Sequence, residues 1–148
     1  MSRSAKPRSG SALIELALIL PLFLTMLLGA VHFGYLFFLY NGLEKSVRDG
    51  ARYAASRTFT TKAAYSAVVK SAVVYGTYGG TTPVVAGLTN TDMVQVTPIP
   101  DAAGVRPVRI RVAITGYTYD GVLSAIIGGT TLNGKPSLEV PFIGFTRF

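Results

Sequence analysis

The sequence predicts an α+β fold, with a long N-terminal helix that is first transmembrane and then amphipathic, a second short helix, and a small antiparallel C-terminal sheet. Three observations support this prediction. Between positions 12 and 43 only Glu15 and His32 can carry charge, apolar residues recur at helical spacing between positions 64 and 75, and apolar and polar residues alternate between positions 108 and 114. With 148 residues, the chain has room for one small domain and a membrane segment.

The first segment is long enough to cross a bilayer, which takes ~20 mostly apolar residues. It is too long for the apolar region of an ordinary secretory signal peptide, which is ~7–15 residues. Arg3, Lys6 and Arg8 precede the segment, and positive charges at one end of a span hold that end in the cytoplasm. We therefore expect a single-pass protein with its N-terminus in the cytoplasm and residues 45–148 outside it.

Inside this helix, Pro21 removes one backbone hydrogen bond and is expected to kink it. Aromatic residues gather between positions 33 and 40, as expected where a helix leaves the bilayer. Beyond Asn41, charged pairs such as Glu44 and Arg48 face away from an apolar stripe. One helix is therefore expected from about position 11 to position 56.

Small residues spaced by four form two stripes on this helix, one containing Gly34 and the other Ser46, Gly50 and Ala54. Such stripes allow another helix to approach closely. We interpret these four residues as helix-packing positions, although glycines that merely weaken the helix remain an alternative.

The second helix is expected to begin after Thr60 or Thr61, either of which can cap it, and to end before residues 76–80. Its apolar face is expected to comprise Ala64, Val68, Ala72 and Tyr75.

Three strands are expected after position 84. A short strand around residues 93–96 should stop at Pro98 and Pro100, and the clearest strand covers residues 108–119. The pair Asn133 and Gly134 is expected to turn the chain into a last strand at residues 138–145.

No constellation of catalytic residues is recognisable. The chain has no cysteine and one histidine, His32, which excludes a thiolate metal site and gives no convincing histidine-based triad. No phosphate-binding glycine motif follows a strand. We expect no enzymatic activity and no cofactor or metal, and we interpret His32 as an interfacial or helix-packing residue.

The net charge of +7 suggests an anionic partner, but three of the charges lie in the first ten residues. Arg106, Arg109 and Arg111, with Tyr117 and Tyr119 nearby, are the one feature that resembles a nucleic-acid surface. Because Arg109 and Arg111 also fit the wet face of an ordinary amphipathic strand, we expect no nucleic-acid partner.

The presence of Glu15 in the apolar segment requires a physical explanation, since a charge inside a membrane-spanning helix costs roughly 2.5–3.5 kcal/mol on insertion scales. It can snorkel to the headgroups, or it can pair with a positive charge. Cleavage of the chain just before Ser11 would create an α-amino group within about one helical turn of Glu15. We expect Glu15 to act in subunit assembly through such a pair.

Four segments of the chain resemble those of a known protein family. They are a short basic leader ending in glycine, the segment Gly-Ser-Ala-Leu-Ile-Glu at positions 10–15, the apolar run that follows, and Val-Arg-Asp-Gly-Ala-Arg-Tyr-Ala-Ala at positions 47–55. The sequence resembles the TadE-like family of minor pilins over nearly its whole length. The leader with glutamate five residues after glycine resembles type IV prepilins in general. The segment at positions 47–55 is what points to the TadE-like branch.

The resemblance implies residues 1–10 as a prepilin leader cut between Gly10 and Ser11 by a prepilin peptidase. It implies residues 11–43 as a transmembrane and filament-core helix, and residues 44–148 as an extracytoplasmic domain. The protein would reside in a bacterial inner membrane and then in a tight-adherence pilus that serves surface attachment. Its partners would be other pilin subunits and the assembly platform, in a homo- or hetero-oligomeric filament.

The resemblance also bears on the kind of subunit. Leu16 stands where the major pilins of such systems typically carry tyrosine, which favours a minor subunit. Two alternatives stay open: a signal-anchored envelope protein that is never processed, and a DNA-binding minor pilin for DNA uptake.

Overall fold

The computed structural model describes residues 9–100, 107–119, 121, 124 and 128–145. The basic residues of the leader, and Arg106 of the candidate nucleic-acid surface, therefore lie outside the described residues. Two helices and a three-stranded antiparallel sheet make up the fold, which confirms the predicted α+β class. The elements in chain order are α1 (Ser9–Ser56), α2 (Lys62–Tyr75), a 3-10 helix (Thr91–Met93), β1 (Val94–Pro100), β2 (Pro107–Tyr119) and β3 (Thr130–Pro141).

Helix α1 runs through Pro21 without a break. Its first half is apolar and exposed on all sides, whereas its second half has one face buried at Leu39, Leu43 and Val47 and keeps apolar side chains exposed on the other face. The same helix therefore serves both as a projecting rod and as one wall of the folded domain.

Helix α2 starts at a capped end, because the hydroxyl of Thr61 accepts a hydrogen bond from the Ala64 N–H at 3.3 Å. It ends where Gly76 adopts a left-handed conformation with φ of 75°. The helix runs back along α1, since Tyr65 reaches the carbonyl of Ala54 and Val73 lies against Gly50.

The expected apolar face of α2 is right at Ala72, which is buried, but otherwise shifted by about one position. Ala64 is exposed, and Val68 and Tyr75 are half-buried. The other buried side chains of the helix are Tyr65, Val69, Val73 and Val74. The sequence offers two neighbouring apolar stripes on this helix. Contact with α1 selects one of them, because the buried stripe is the one that reaches Gly50 and Ala54.

The sheet has the order β1-β2-β3, with both pairs antiparallel. Strand β1 continues through Pro98 to Pro100 rather than stopping before them. Proline lacks the N–H needed for a central strand, but β1 is an edge strand that pairs only with β2.

Strand β3 begins at Thr130, so Asn133 and Gly134 lie inside it and do not form the expected turn. The pairing of β2 with β3 shifts register around Thr115, and the side chain of Asn133 accepts a hydrogen bond from the Gly116 N–H at 3.0 Å. Gly116 and Gly134 both have positive φ, at 71° and 76°. The Asn-Gly pair therefore belongs to a bulge, where glycine permits the left-handed backbone.

The core lies between one face of the sheet and the two helices. Its fully buried members come from every layer: Leu43, Val47, Val69, Val73, Leu88, Val94, Ile110, Val112 and Ile114. Burial of these aliphatic side chains fixes the domain on the second half of α1 and leaves the first half uncovered.

Candidate functional site

The candidate site is the uncovered part of α1. Every side chain from position 10 to position 28 is exposed, including Leu13, Leu18 and Phe23 at 58–72%. Gly10–Ser56 is the one helix of the described residues that is long and apolar enough to cross a membrane, with a mean hydropathy of 2.3 over its most apolar window. None of that window is buried within the chain. An apolar rod of this length must be covered by lipid or by other chains.

The residues predicted to take part in processing and assembly all lie on this rod. Gly10 and Ser11 lie in the first turn of α1, and Glu15 follows Ser11 at the i+4 position on the same face. Pro21 lies inside the helix. In the described residues, Glu15 is the one charged side chain before Glu44.

The four predicted helix-packing residues have different surroundings. Gly34 is exposed, and a Cβ built on it would meet nothing within 4 Å. Gly50 lies against Val73 of α2, and the carbonyl of Ala54 accepts a hydrogen bond from Tyr65. Ser46 is buried and donates to the carbonyl of Leu43 at 2.9 Å. The second stripe therefore lies on the face covered by the chain's own domain, whereas Gly34 lies on a part of α1 that the described domain does not cover.

His32 marks the place where the domain begins to cover α1. Its side chain is 7% exposed, and its Nδ1 lies 3.5 Å from the hydroxyl of Tyr119 at the end of β2. The ring of Tyr119 also lies 5.9 Å from that of Tyr35, between centroids. The sequence points to His32 as a packing residue but gives no indication of Tyr119 as its partner.

Tyr117 and Tyr119 do not join Arg109 and Arg111 on one surface. The arginines are exposed on the outer face of the sheet, whereas the tyrosines are 2% and 3% exposed. Tyr117 donates its hydroxyl to the carbonyl of Ala86 at 2.8 Å, and burial raises the pKa of this tyrosine. The register shifts between positions 113 and 117 reverse the alternation, so residues of the same parity face opposite sides.

The charge on the outer face of the sheet is partly neutralised. Arg109 forms a 3.1 Å ion pair with Glu139 of β3, and Arg111 lies directly opposite the same glutamate in the pairing register. An arginine paired with a carboxylate attracts nucleic-acid phosphate less strongly than an unpaired one, so the pair at Arg109 weakens this surface as a site for nucleic acid.

A groove of about 310 Å³ runs along α1 next to the segment 84–86, and we call it the α1 groove. Its apolar wall contains Phe38, Leu39 and Val84, and the one charged residue that lines it is Lys45. Gly42 forms part of its floor, where a Cβ would touch the side chain of Val85 at 3.4 Å. The sequence does not suggest this groove, because segment 84–86 begins 28 residues beyond the end of α1.

No group of three or more His, Asp or Glu side chains that could hold a metal ion occurs among the residues that the structure describes. The chemistry available on the uncovered helix is that of an apolar surface with one carboxylate. Such a surface can insert into a bilayer or associate with other apolar helices.

The family model described as TadE-like protein matches residues 10–52. The match includes the exposed first half of α1 and the part of α1 that contains Gly50. It confirms the resemblance over this segment, which is less than a third of the chain. No curated protein and no solved structure matches the chain.

Proposed function

We propose that the chain is a minor pilin or pseudopilin that a prepilin peptidase cuts after Gly10. Once cut, it is incorporated into a tight-adherence pilus, or initiates assembly of one, and thereby serves surface attachment. The observation that supports this most directly is the TadE-like segment on a helix whose first half projects uncovered from a folded domain. A helix of this kind can exchange lipid contacts for contacts with neighbouring helices without a change in its own fold.

The position of the cleavage site supports processing. Gly10 and Ser11 lie at the exposed start of α1, where few backbone hydrogen bonds have to open for the chain to enter a peptidase in an extended form. Glycine places no side chain in the way of that approach.

Glu15 is proposed to select the partner and the register of the subunit. In a bundle of parallel helices, the α-amino group of Ser11 in one processed chain can reach Glu15 of its neighbour, because the two positions are only about one helical turn apart. Such a pair adds little net stability in an apolar environment, but a lone charge there is costly. Incorrectly aligned subunits are therefore disfavoured.

The DNA-uptake alternative receives less support from the geometry than the filament proposal. Arg109 is paired with Glu139, and the two tyrosines that would stack on bases are buried on the other side of the sheet.

Mass spectrometry of the chain recovered from membranes and from sheared surface filaments tests the proposal. We expect the membrane and filament forms to begin at Ser11, and the Gly10→Val variant to keep the leader. A mature chain that begins at Met1 in both fractions would favour the unprocessed, signal-anchored alternative. Absence from the filament fraction, with correct processing, would limit the role to initiation.

Orientation is tested separately by a reporter that is active only in the cytoplasm, fused after Phe148. Because positive charges precede the span, we expect the fusion to be silent. An active reporter would reverse the proposed orientation.

A further inference from the structure

The exposed apolar surface of α1 does not end where the domain begins. Beyond His32, four aromatic side chains remain exposed although the domain covers the opposite face of the helix: Phe33, Tyr35, Phe37 and Phe38, at 47–71%. If the hydrocarbon ended at His32, Phe37 and Phe38 would lie roughly 8–9 Å beyond it, past a headgroup layer that is about 5–8 Å thick. An aromatic cluster of this kind is typical of a helix segment at the membrane surface.

The two ends of the uncharged stretch define a second placement of the bilayer. Residues 16–38 would form a helix about 34 Å long at ~1.5 Å per residue, and a modest tilt fits this length to a hydrocarbon layer of ~30 Å. Glu15 then lies at the headgroups of the cytoplasmic side, and the aromatic residues lie at the opposite surface. In this placement the carboxylate of Glu15 and the aromatic rings all lie at the membrane surface rather than in the hydrocarbon or in water.

This placement takes His32, and the end of β2 whose Tyr119 faces it, below the outer surface of the hydrocarbon. His32 would lie about 9 Å inside that surface, where an unpartnered imidazole would be costly. In the structure it is buried and faces the hydroxyl of Tyr119, so it exposes little polar surface to lipid.

The placement brings the α1 groove to the membrane surface. Phe38 on one wall and Val84 on the other are 71% and 55% exposed, and the segment 84–86 carries no charged side chain. Lys45 lies about 10 Å further along the axis than Phe38. Because side chains on a helix lean towards its N-terminus, the ammonium group of Lys45 extends back towards the bilayer.

We propose that, before assembly, the α1 groove lies in the outer headgroup layer and binds phospholipid. Acyl carbons contact Phe38 and Val84, and Lys45 lies next to an anionic headgroup. The partner is lipid because the groove is continuous with the candidate span and because its one cation lies on the side away from the hydrocarbon. The inference rests on the proposed insertion of α1 into a bilayer and does not require the chain to join a filament.

The absence of cysteine from the chain permits a direct test. Val84→Cys, labelled with the fluorophore NBD, is reconstituted as the full chain in phosphatidylcholine–phosphatidylglycerol vesicles that contain lipids with a nitroxide on the headgroup. We expect these lipids to quench the label about twofold or more, as for a group within the interface. Phe38→Cys provides a second labelling site in the same groove and should behave alike.

Ile143→Cys is the matched control at the far end of the domain. It is 76% exposed, and its N–H donates to the carbonyl of Ala55, about 25 Å further along α1 than Phe38. We expect no quenching there. If the labels at Val84 and Phe38 behave like the one at Ile143, the proposal is overturned. Lys45→Gln should reduce the quenching at Val84 only in vesicles with phosphatidylglycerol, and equal quenching would overturn the role of Lys45.

Leu22→Cys separates this proposal from the proposed function. A label in mid-span should be quenched by nitroxides placed deep in the acyl chain. If it is not quenched, α1 does not span the membrane and both proposals fail. If Leu22 is quenched and Val84 is not, the span stands and only the immersion of the groove is wrong.

Discussion

Val73 of α2 lies so close to Gly50 of α1 that no side chain fits at position 50. A Cβ built on Gly50 would overlap the Val73 side chain and come within 3.4 Å of its Cα. Because Val73 is itself fully buried, it has little room to move away. This contact sets how closely the two helices approach.

Gly50→Val is therefore expected to lower the free energy of unfolding by about 1–3 kcal/mol through overpacking. The matched control is Gly34→Val, because a Cβ at position 34 meets nothing within 4 Å. Thermal unfolding of both variants in detergent, followed by circular dichroism, measures the difference. Equal unfolding temperatures for the two variants would show that the contact at Gly50 adapts.

Tyr65→Phe is expected to cost about 1 kcal/mol of stability, because it removes the hydrogen bond from the buried hydroxyl to the carbonyl of Ala54. Burial raises the pKa of Tyr65 above its ordinary value of 10.0. The folded state therefore holds this proton more tightly than the unfolded state does. This difference contributes to the free energy of unfolding, and the contribution is fully present below pH 10 and is lost as the pH rises above 10.

The pH dependence of this variant has a control in Tyr78→Phe, because Tyr78 is 68% exposed. Unfolding is measured by urea titration between pH 8 and pH 11 at ~0.5-unit intervals. We expect Tyr65→Phe to weaken the alkaline loss of stability and Tyr78→Phe to leave it unchanged. If Tyr65→Phe loses stability with rising pH as steeply as the parent does, groups other than Tyr65 cause the loss.

Gly116→Ala is expected to destabilise the domain by about 1–2 kcal/mol, since φ at this position is 71° and a Cβ is strained in the left-handed region. A Cβ there meets nothing within 4 Å, so the cost reports backbone strain alone. Thr118→Ala, at a neighbouring exposed position, is the control. Unfolding in urea compares the two, and a neutral Gly116→Ala would show that the bulge rearranges.

Glu15→Ala is expected to insert into the membrane as well as the parent or better, but to fail in filament assembly. Removal of the carboxylate leaves the amine of a neighbouring subunit uncompensated, at roughly 3–5 kcal/mol in an apolar environment. Immunoblots of membrane and sheared-filament fractions measure the two steps. Glu44→Ala is the control, because Glu44 is exposed beyond the span and pairs with Arg48 at 2.8 Å. Normal piliation with Glu15→Ala would leave snorkelling as the whole role of Glu15.

Replacement of both Arg109 and Arg111 by alanine is expected to change stability by less than about 1 kcal/mol, because exposed ion pairs contribute little. Ile110→Ala, at a fully buried position between them, should cost about 2–5 kcal/mol and show that the assay detects a loss. Unfolding and a salt-dependent gel shift with duplex DNA are the measurements. Loss of DNA binding in the double variant would revive the DNA-uptake interpretation.

The order and type of the elements could be predicted from the sequence because local patterns specify them. The apolar stretch after Ser11 and the charged pairs after Asn41 predict one long helix, and Thr61 and Gly76 delimit the second. The candidate site could be predicted for the same reason. Glu15 and Gly10 stand out by their positions in the chain, whatever the rest of the fold does.

The side of the sheet on which a residue lies, and whether its strand is at the edge of the sheet, depend on long-range contacts. The local sequence pattern does not contain these contacts. Period-2 alternation predicts Tyr117 and Tyr119 on the face of Arg109, and the bulge around Gly116 reverses it. Pro98 is tolerated inside β1 because none of the described strands pairs on its other side.

The order of residues along the chain is enough to predict that an apolar helix with one carboxylate precedes a small domain, because charge and hydropathy are properties of each residue and its near neighbours. Which parts of that helix remain uncovered depends on how the domain folds against it. The close fit of Val73 on Gly50, the contact of Tyr119 with His32 and the groove beside Val84 each join residues far apart in the chain. Such contacts form only when burial of the shared core brings the two helices and the sheet together.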